Sequence, residues 1–282
     1  MDVLASPAAM LTWARDRQVA GDRIGVVPTM GALHEGHLAL VSAVSERADV
    51  TVVTIFVNPL QFNQSTDFGA YPRPIDDDLR ICEAAGVHAV YAPTASAMYP
   101  AAFQTHVEPG KLAARLEGPM RPDHFRGVTT VVTKLLGATR ADAAAFGEKD
   151  FQQLAVIRQM VADLDLGVEI VGVPIVREPD GLARSSRNIR LTSADRAAAV
   201  VLSQALQAAR CAFDDGEHDA AALSSIVATR VAGEPAAEIE YIDVVDADTL
   251  DAVERADSPV VVLLAAWFGD VRLIDNARLT PT

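Results

Sequence analysis

Two imidazoles stand three residues apart in His34-Glu35-Gly36-His37, directly after the turn-forming run Pro28-Thr29-Met30-Gly31-Ala32-Leu33. The short apolar strand Arg23–Pro28 leads into this turn, and a helix is expected over Gly36–Arg47. A strand, a glycine turn and a helix N-terminus together present outward-pointing backbone N–H groups in a field that favours negative charge. Two histidine donors at that mouth suit a nucleotide phosphate. The same residues are compatible with a βα turn carrying two solvated histidines.

Five further clusters hold chemically useful groups. Asn58-Pro59-Leu60-Gln61-Phe62-Asn63 follows a strand end, where its amides would offer both donors and acceptors, as a hydroxy acid requires; a self-satisfied polar loop is the alternative. Asp76-Asp77-Asp78 opens a helix, where the dipole alone favours carboxylates and where one oxygen could reach Mg²⁺. In Gly118–Gly127, Arg121, His124 and Arg126 form a candidate anion clamp or a solvated loop. Phe146-Gly147-Glu148-Lys149-Asp150 repeats the strand–glycine–helix junction with a lysine at the helix mouth, a conflict with the dipole that an anion would relieve. Arg184-Ser185-Ser186-Arg187-Asn188 adds two hydroxyls and guanidinium groups suited to phosphate oxygens, although a linker would read similarly.

The elements that must position these groups alternate for more than half the chain. Ser6-Pro7 caps a helix reaching to about Val19. The β-branched run within Asp49–Val57 is a central strand, Ile75–Ala85 a helix closed by Gly86, and His88–Ala92 a strand. Val128–Leu136 is helical, Ala143–Phe146 a short buried strand, Phe151–Leu164 a helix and Val168–Val173 a strand. This alternation predicts a doubly wound, mostly parallel α/β sheet, with ligands beyond the carboxyl ends of its strands. After Arg177 the pattern changes. A long helix capped by Thr192-Ser193 would bury Ala197, Val201, Ala205, Ala208 and Ala212, and a second helix spans Ala220–Val231. Three strand-like runs follow, Glu238–Val245, Val260–Phe268 and Val271–Ile274. The expectation is a first domain over 1–176 and a smaller α+β domain over 177–282 that closes over the active site.

Composition narrows the functional classes. Half of the 282 residues are hydrophobic, enough for a sizeable core, yet no apolar run reaches the ~18 residues of a membrane span. The N-terminal stretch lacks the cationic-then-apolar order of a signal peptide. Cys82 and Cys211 are too few and too distant for a disulfide framework and fit a reducing cytoplasm. A net charge of −14 argues against nucleic acid, while local Arg, Lys and His still allow small anionic substrates.

The ordered blocks Pro28–His37, Phe56–Phe62, Phe146–Asp150 and Ser185–Asn188 together resemble the pantothenate synthetase family, within the wider HxGH nucleotidyltransferases. HxGH alone is shared across that superfamily; the four blocks in order are specific. The resemblance implies a cytoplasmic, homodimeric, Mg²⁺-dependent ligase with a Rossmann-type N-terminal domain. Pantoate would attack the α-phosphate of ATP, giving pantoyl adenylate and pyrophosphate, and β-alanine would displace AMP to yield pantothenate. By position it implies nucleotide-phosphate roles for His34, His37 and Lys149, and a signature-loop role for Ser185, Ser186 and Arg187. Met30, Gly147, Asp150 and Val176 fall on the ATP side, Gln61 and Gln153 match the pantoate glutamines, and Asp77 matches a metal-side aspartate. Asn58 joins the pantoate set from its place at the strand end. The acid substrate is already anionic, so none of these residues is needed as a covalent nucleophile. Arg184 stands where the family commonly has Met, and Phe151 where many relatives have Tyr. Another HxGH adenylyltransferase and a non-catalytic nucleotide-binding module are the competing readings.

Overall fold

A computed structural model of the chain describes residues 1–63 and 65–281. The chain divides into two compact units, Met1–Glu148 with Gln152–Pro174, and Lys149–Phe151 with Ile175–Thr282.

The first unit is built on a six-stranded, all-parallel sheet. Its strands are β1 (Asp2–Leu4), β2 (Ile24–Thr29), β3 (Val50–Ile55), β4 (Ala89–Tyr91), β5 (Ala143–Gly147) and β6 (Glu169–Val173), in the spatial order β1-β4-β3-β2-β5-β6. The longer helices are α1 (Pro7–Ala20), α2 (Glu35–Ser45), α3 (Ile75–Ala84), α4 (His124–Thr139) and α5 (Phe151–Asp163). Because strand side chains alternate between faces, the central strands feed two cores. Ile24, Val26, Val50, Val52, Tyr91 and Phe146 point to the side covered by α1, α4 and α5, while Val27, Val53, Val90 and Ala145 meet Leu40, Val41 and Val44 of α2 and Cys82 of α3. Strands buried on both faces explain the near-continuous apolar runs in the sequence. Local signals set the helix ends: Ser6 Oγ accepts the Ala9 N–H at 3.2 Å, with Pro7 in the first turn of α1.

Strand order reverses at β2, with β3, β4 and β1 on one side and β5 and β6 on the other. The carboxyl ends of the adjacent β2 and β5 therefore flank a topological switch point, where open α/β sheets bind ligands. β2 runs into the histidine turn and β5 into Glu148-Lys149-Asp150.

The second unit carries a three-stranded antiparallel sheet of β7 (Ala237–Asp246), β8 (Val260–Phe268) and β9 (Val271–Leu279), in the order β7-β8-β9. Helices α6 (Ser193–Ala198), α7 (Val201–Asp214) and α8 (Ala220–Ala232) precede it. The doubly wound sheet and the smaller α+β unit agree with the expected fold class. Three details differ. The N-terminal strand β1 pairs with β4, although three residues are too short for a periodic signal. The last strand continues to Leu279 because the β8 ladder pairs it along its whole length. The long helix expected after Thr192 is two helices, broken at Ala199–Val200. Val201 and Ala205 of the expected face are buried, but Ala197, Ala208 and Ala212 are not; Leu202, Leu206, Ala209 and Phe213, each one position along, complete the buried stripe.

Candidate active site

The histidine turn is held from within. His34 is the N-cap of α2, and its Nδ1 accepts the Gly36 N–H at 3.1 Å. His37 returns the contact, its Nδ1 accepting the His34 N–H at 3.2 Å, so the pair forms a capping box of imidazoles. The rings lie 4.1 Å apart, centroid to centroid. With Nδ1 an acceptor in both, each neutral ring carries its proton on Nε2. Two Nε2–H donors thus sit at a helix N-terminus beside the switch point.

Ahead of the histidines, Gly31 and Ala32 take positive φ values of 84° and 52°. A Cβ on Gly31 would come within 2.8 Å of Asp78 Oδ2, so only glycine fits there. Asp78, 1% exposed on the first turn of α3, accepts the Ala32 N–H at 2.9 Å and the Leu33 N–H at 2.8 Å. Burial pushes its pKa up, against those two N–H bonds, which lower it, and Asp77, which raises it further. The acidic triplet therefore splits by role. Asp78 braces the turn; Asp76 and Asp77 are exposed, and Asp77 pairs with Arg80. No group of three His, Cys, Asp or Glu side chains converges as a metal cage among the described residues. An exposed carboxylate of this kind suits a Mg²⁺ that arrives on phosphates and keeps most of its waters.

The Asn58–Asn63 loop is not the open amide face its composition suggested. Asn58 is buried, and all four of its hydrogen-bonding positions are filled: Nδ2 donates to Gln61 Oε1 (2.9 Å) and Gly127 O (3.1 Å), while Oδ1 accepts from Leu60 N (3.3 Å) and Tyr99 Oη (2.8 Å). Asn58 therefore orients Gln61 instead of facing a ligand. Gln61 Nε2 also contacts Met30 Sδ at 3.3 Å, linking the β2 turn to this loop. The expected anion clamp has a different use as well. His124 Nδ1 lies 2.9 Å from the Gln61 carbonyl oxygen, Arg121 Nη2 donates to the same oxygen at 3.5 Å, and Arg126 pairs with Glu108 at 3.1 Å. On α5, Gln152 is consumed by Glu117 N, Leu112 O and Arg115 O, whereas the half-buried Gln153 makes no side-chain hydrogen bond among the described residues.

In the second unit, Lys149 lies in a single 3₁₀ turn, its side chain 18% exposed and Nζ 3.8 Å from Asp150 Oδ2. That carboxylate offsets part of the conflict with the helix dipole. The loop Ser185–Arg187 is delivered by a hairpin the sequence reading missed, although Pro179-Asp180-Gly181 is a turn signature. Gly181, at φ 98°, donates its N–H to Glu178 O, Glu178 N–H donates to Leu182 O, and Arg184 N–H donates to Val176 O. Ser185 caps the following turn, its Oγ accepting the Arg187 N–H at 3.2 Å. Arg177 pins the hairpin to β9 through a bidentate pair with Asp275 at 2.7 and 2.9 Å.

Comparison with known proteins decides the family. The model of the pantoate-beta-alanine ligase family matches residues 2–278. The chain belongs to that family. Relatives in it include pantothenate synthetases from Chloroherpeton thalassium, 48% identical over 282 residues with 99% of each chain covered, and from Geobacter sulfurreducens, 49% identical over 279 residues with 99% of each covered. A crystal structure of pantothenate synthetase from Thermus thermophilus superposes with a TM-score of 0.94 at 39% identity, covering 100% of both chains. The pantoate-beta-alanine ligase from Francisella tularensis, complexed with beta-gamma ATP and beta-alanine, matches at a TM-score of 0.82 and 33% identity, with 98% of this chain and 97% of that one covered. The activity that goes with the family is ATP-dependent ligation of pantoate to β-alanine. A pantoate-beta-alanine ligase is neither a different adenylyltransferase nor a passive nucleotide-binding module, and both competing readings fall with the match.

Proposed function

We propose that this ligase works through a pantoyl adenylate. A carboxylate oxygen of pantoate bonds to the α-phosphorus of ATP as the bond to the β-phosphate oxygen breaks and pyrophosphate leaves. The amine of β-alanine, having given up its ammonium proton to solvent, then bonds to the acyl carbon, AMP departs with the bridging oxygen, and the nitrogen releases a second proton to solvent to leave the neutral amide. The protein's part is to orient the acid and to stabilise charge at the phosphoryl centre. The capping box of His34 and His37 carries this reading, because it fixes two Nε2–H donors at the mouth of α2.

Lys149, Ser185, Ser186 and Arg187 supply the remaining phosphate donors, and Met30, Gly147, Asp150 and Val176 the ATP side. Gln61 and Gln153 bind pantoate, with Asn58 acting through Gln61. Asp77 would offer one oxygen to a Mg²⁺ that supplies charge neutralisation at the phosphates. We place the enzyme in the cytoplasm as a homodimer, a reading that rests on the family resemblance and that sedimentation can test; no described helix is long and apolar enough to cross a membrane.

Exchange of labelled pyrophosphate into ATP tests the route. It should require pantoate and Mg²⁺ but no β-alanine, whereas a concerted route would need all three substrates. Loss of one preorganised donor costs ~3–4 kcal/mol, roughly 100- to 1,000-fold in rate, so His34→Ala and Lys149→Ala should each slow exchange by about that factor. Gln61→Ala should chiefly raise the KM for pantoate. Full-rate exchange by the His34→Ala enzyme would take the histidine pair out of the chemistry.

A further inference from the structure

The hairpin that carries Ser185–Arg187 has a carboxylate at its turn with three partners. Glu178 Oε1 accepts Asn188 Nδ2 at 2.9 Å and lies 3.6 Å from Arg184 Nη1; Oε2 accepts Arg196 Nη2 at 2.7 Å. Two of those partners flank the Ser185-Ser186-Arg187 run directly, one on each side. The third, Arg196 on α6, also meets Asp180 at 2.8 Å and so closes the network on the hairpin's own turn.

The amide of Asn188 shows what Glu178 controls. Its Nδ2 is shared between Glu178 Oε1 and Ala183 O (3.1 Å), while its buried Oδ1 has no partner among the described residues. Turning the amide over would set Oδ1 against the carboxylate and against a carbonyl. The orientation is therefore held by Glu178, at the cost of one orphaned acceptor. Arg184 stands on the N-terminal side of the run. Paired with Glu178, its guanidinium is drawn toward the hairpin turn and its charge is balanced there. Asn188, Arg184 and Arg196 reach the carboxylate from different points of the loop and of α6, so one side chain ties the loop at several places.

We propose that Glu178 is a positioning residue for ATP: by holding Arg184 and Asn188 on either side of Ser185–Arg187, it sets that loop in its nucleotide-binding geometry. The proposal rests on the reading of Ser185–Arg187 as an ATP loop.

The test compares Glu178→Ala, Glu178→Gln, Arg184→Met and the double variant Glu178→Gln/Arg184→Met in the full chain. Direct ATP binding by calorimetry and steady-state kinetics with varied ATP and varied pantoate are the readouts. Glu178→Ala should weaken ATP binding and raise the KM for ATP roughly tenfold or more, the scale of losing hydrogen bonds to a charged group, with the pantoate KM within about twofold of wild type. Glu178→Gln keeps an acceptor for Asn188 and should recover part of the loss. In the Arg184→Met background, where the Arg184 guanidinium no longer needs balancing and only that of Arg196 remains, Glu178→Gln should cost clearly less than it does alone. Unchanged ATP affinity in Glu178→Ala, or equal losses for ATP and pantoate with no recovery in Glu178→Gln, would overturn the proposal. Wild-type enzyme that binds ATP but shows no pantoate-dependent pyrophosphate exchange would instead refute the adenylate route, leaving the binding arm to judge Glu178.

Discussion

Replacing Asp78 with asparagine tests whether the histidine turn is braced by a carboxylate or serves a metal. The side chain is 1% exposed and accepts two backbone N–H groups at 2.8 and 2.9 Å. Hydrogen bonds to a charged acceptor contribute about 1.5–3 kcal/mol each. Burying the charge takes some of this back, in keeping with the raised pKa. Asparagine keeps one oxygen but turns an NH₂ toward the second N–H, so one bond is lost and two donors face each other. The expected cost is about 2 kcal/mol of stability. Ala32, which sits at a φ of 52° that non-glycine residues avoid, loses one of the contacts holding it there. The turn then relaxes and carries His34 with it, and a misplacement near 1 Å can cost roughly 100-fold in rate. Pyrophosphate exchange measured across a Mg²⁺ titration, alongside thermal unfolding, distinguishes the two roles. Asp78→Asn should be slow at every Mg²⁺ concentration. Wild-type stability and exchange, or full rescue by added Mg²⁺, would refute the bracing role.

The neighbouring Asp77→Asn should behave in the opposite way, raising the Mg²⁺ needed for half-maximal rate while leaving turnover at saturating Mg²⁺ near wild type. Asp275→Asn breaks the bidentate pair with Arg177; removing one partner of a buried pair costs about 3–5 kcal/mol, and because Arg177 is 31% exposed the lower end is expected in denaturant unfolding. Glu178 is under opposing influences: burial raises its pKa, but hydrogen bonds from Asn188 and Arg196 and the charges of Arg196 and Arg184 outweigh that and hold it below the ordinary carboxylate value. Its contribution to stability is therefore present above the unfolded-state pKa and is lost as pH falls through the lower folded one. The stability gap between wild type and Glu178→Gln should be constant near neutrality and close only in acid. A gap that widens in acid would contradict this sign.

Much of this enzyme was legible from local pattern. Apolar runs such as Thr51–Ile55 announced central strands, Ser6-Pro7 a helix start, and Gly36 and Gly147 the βα junctions, because strand burial, capping and turn geometry act over a few residues. The four ordered blocks were enough to suggest the family. Less could be read where residues of equal propensity compete. The alanine-rich stretch after Thr192 offers several helical faces, and the core selected the one bearing Leu202, Leu206 and Phe213.

Which polar groups are spent on the protein itself was decided only by the fold. Asn58 and Asn63, or Asp77 and Asp78, are chemically equivalent in one dimension. Contacts with Gly127 and Tyr99, far along the chain, make Asn58 a brace for Gln61. The arrival of α3 beside the Gly31-Ala32 turn makes Asp78 a buried acceptor while Asp77 stays in solvent. In the same way, Glu178 gains its place at the loop because Pro179-Asp180-Gly181 folds the segment that carries it back on itself. Residue types and spacing set what chemistry the chain can perform; long-range packing assigns each group to ligand or to scaffold, since hydrogen-bond partners distant in sequence leave no local trace.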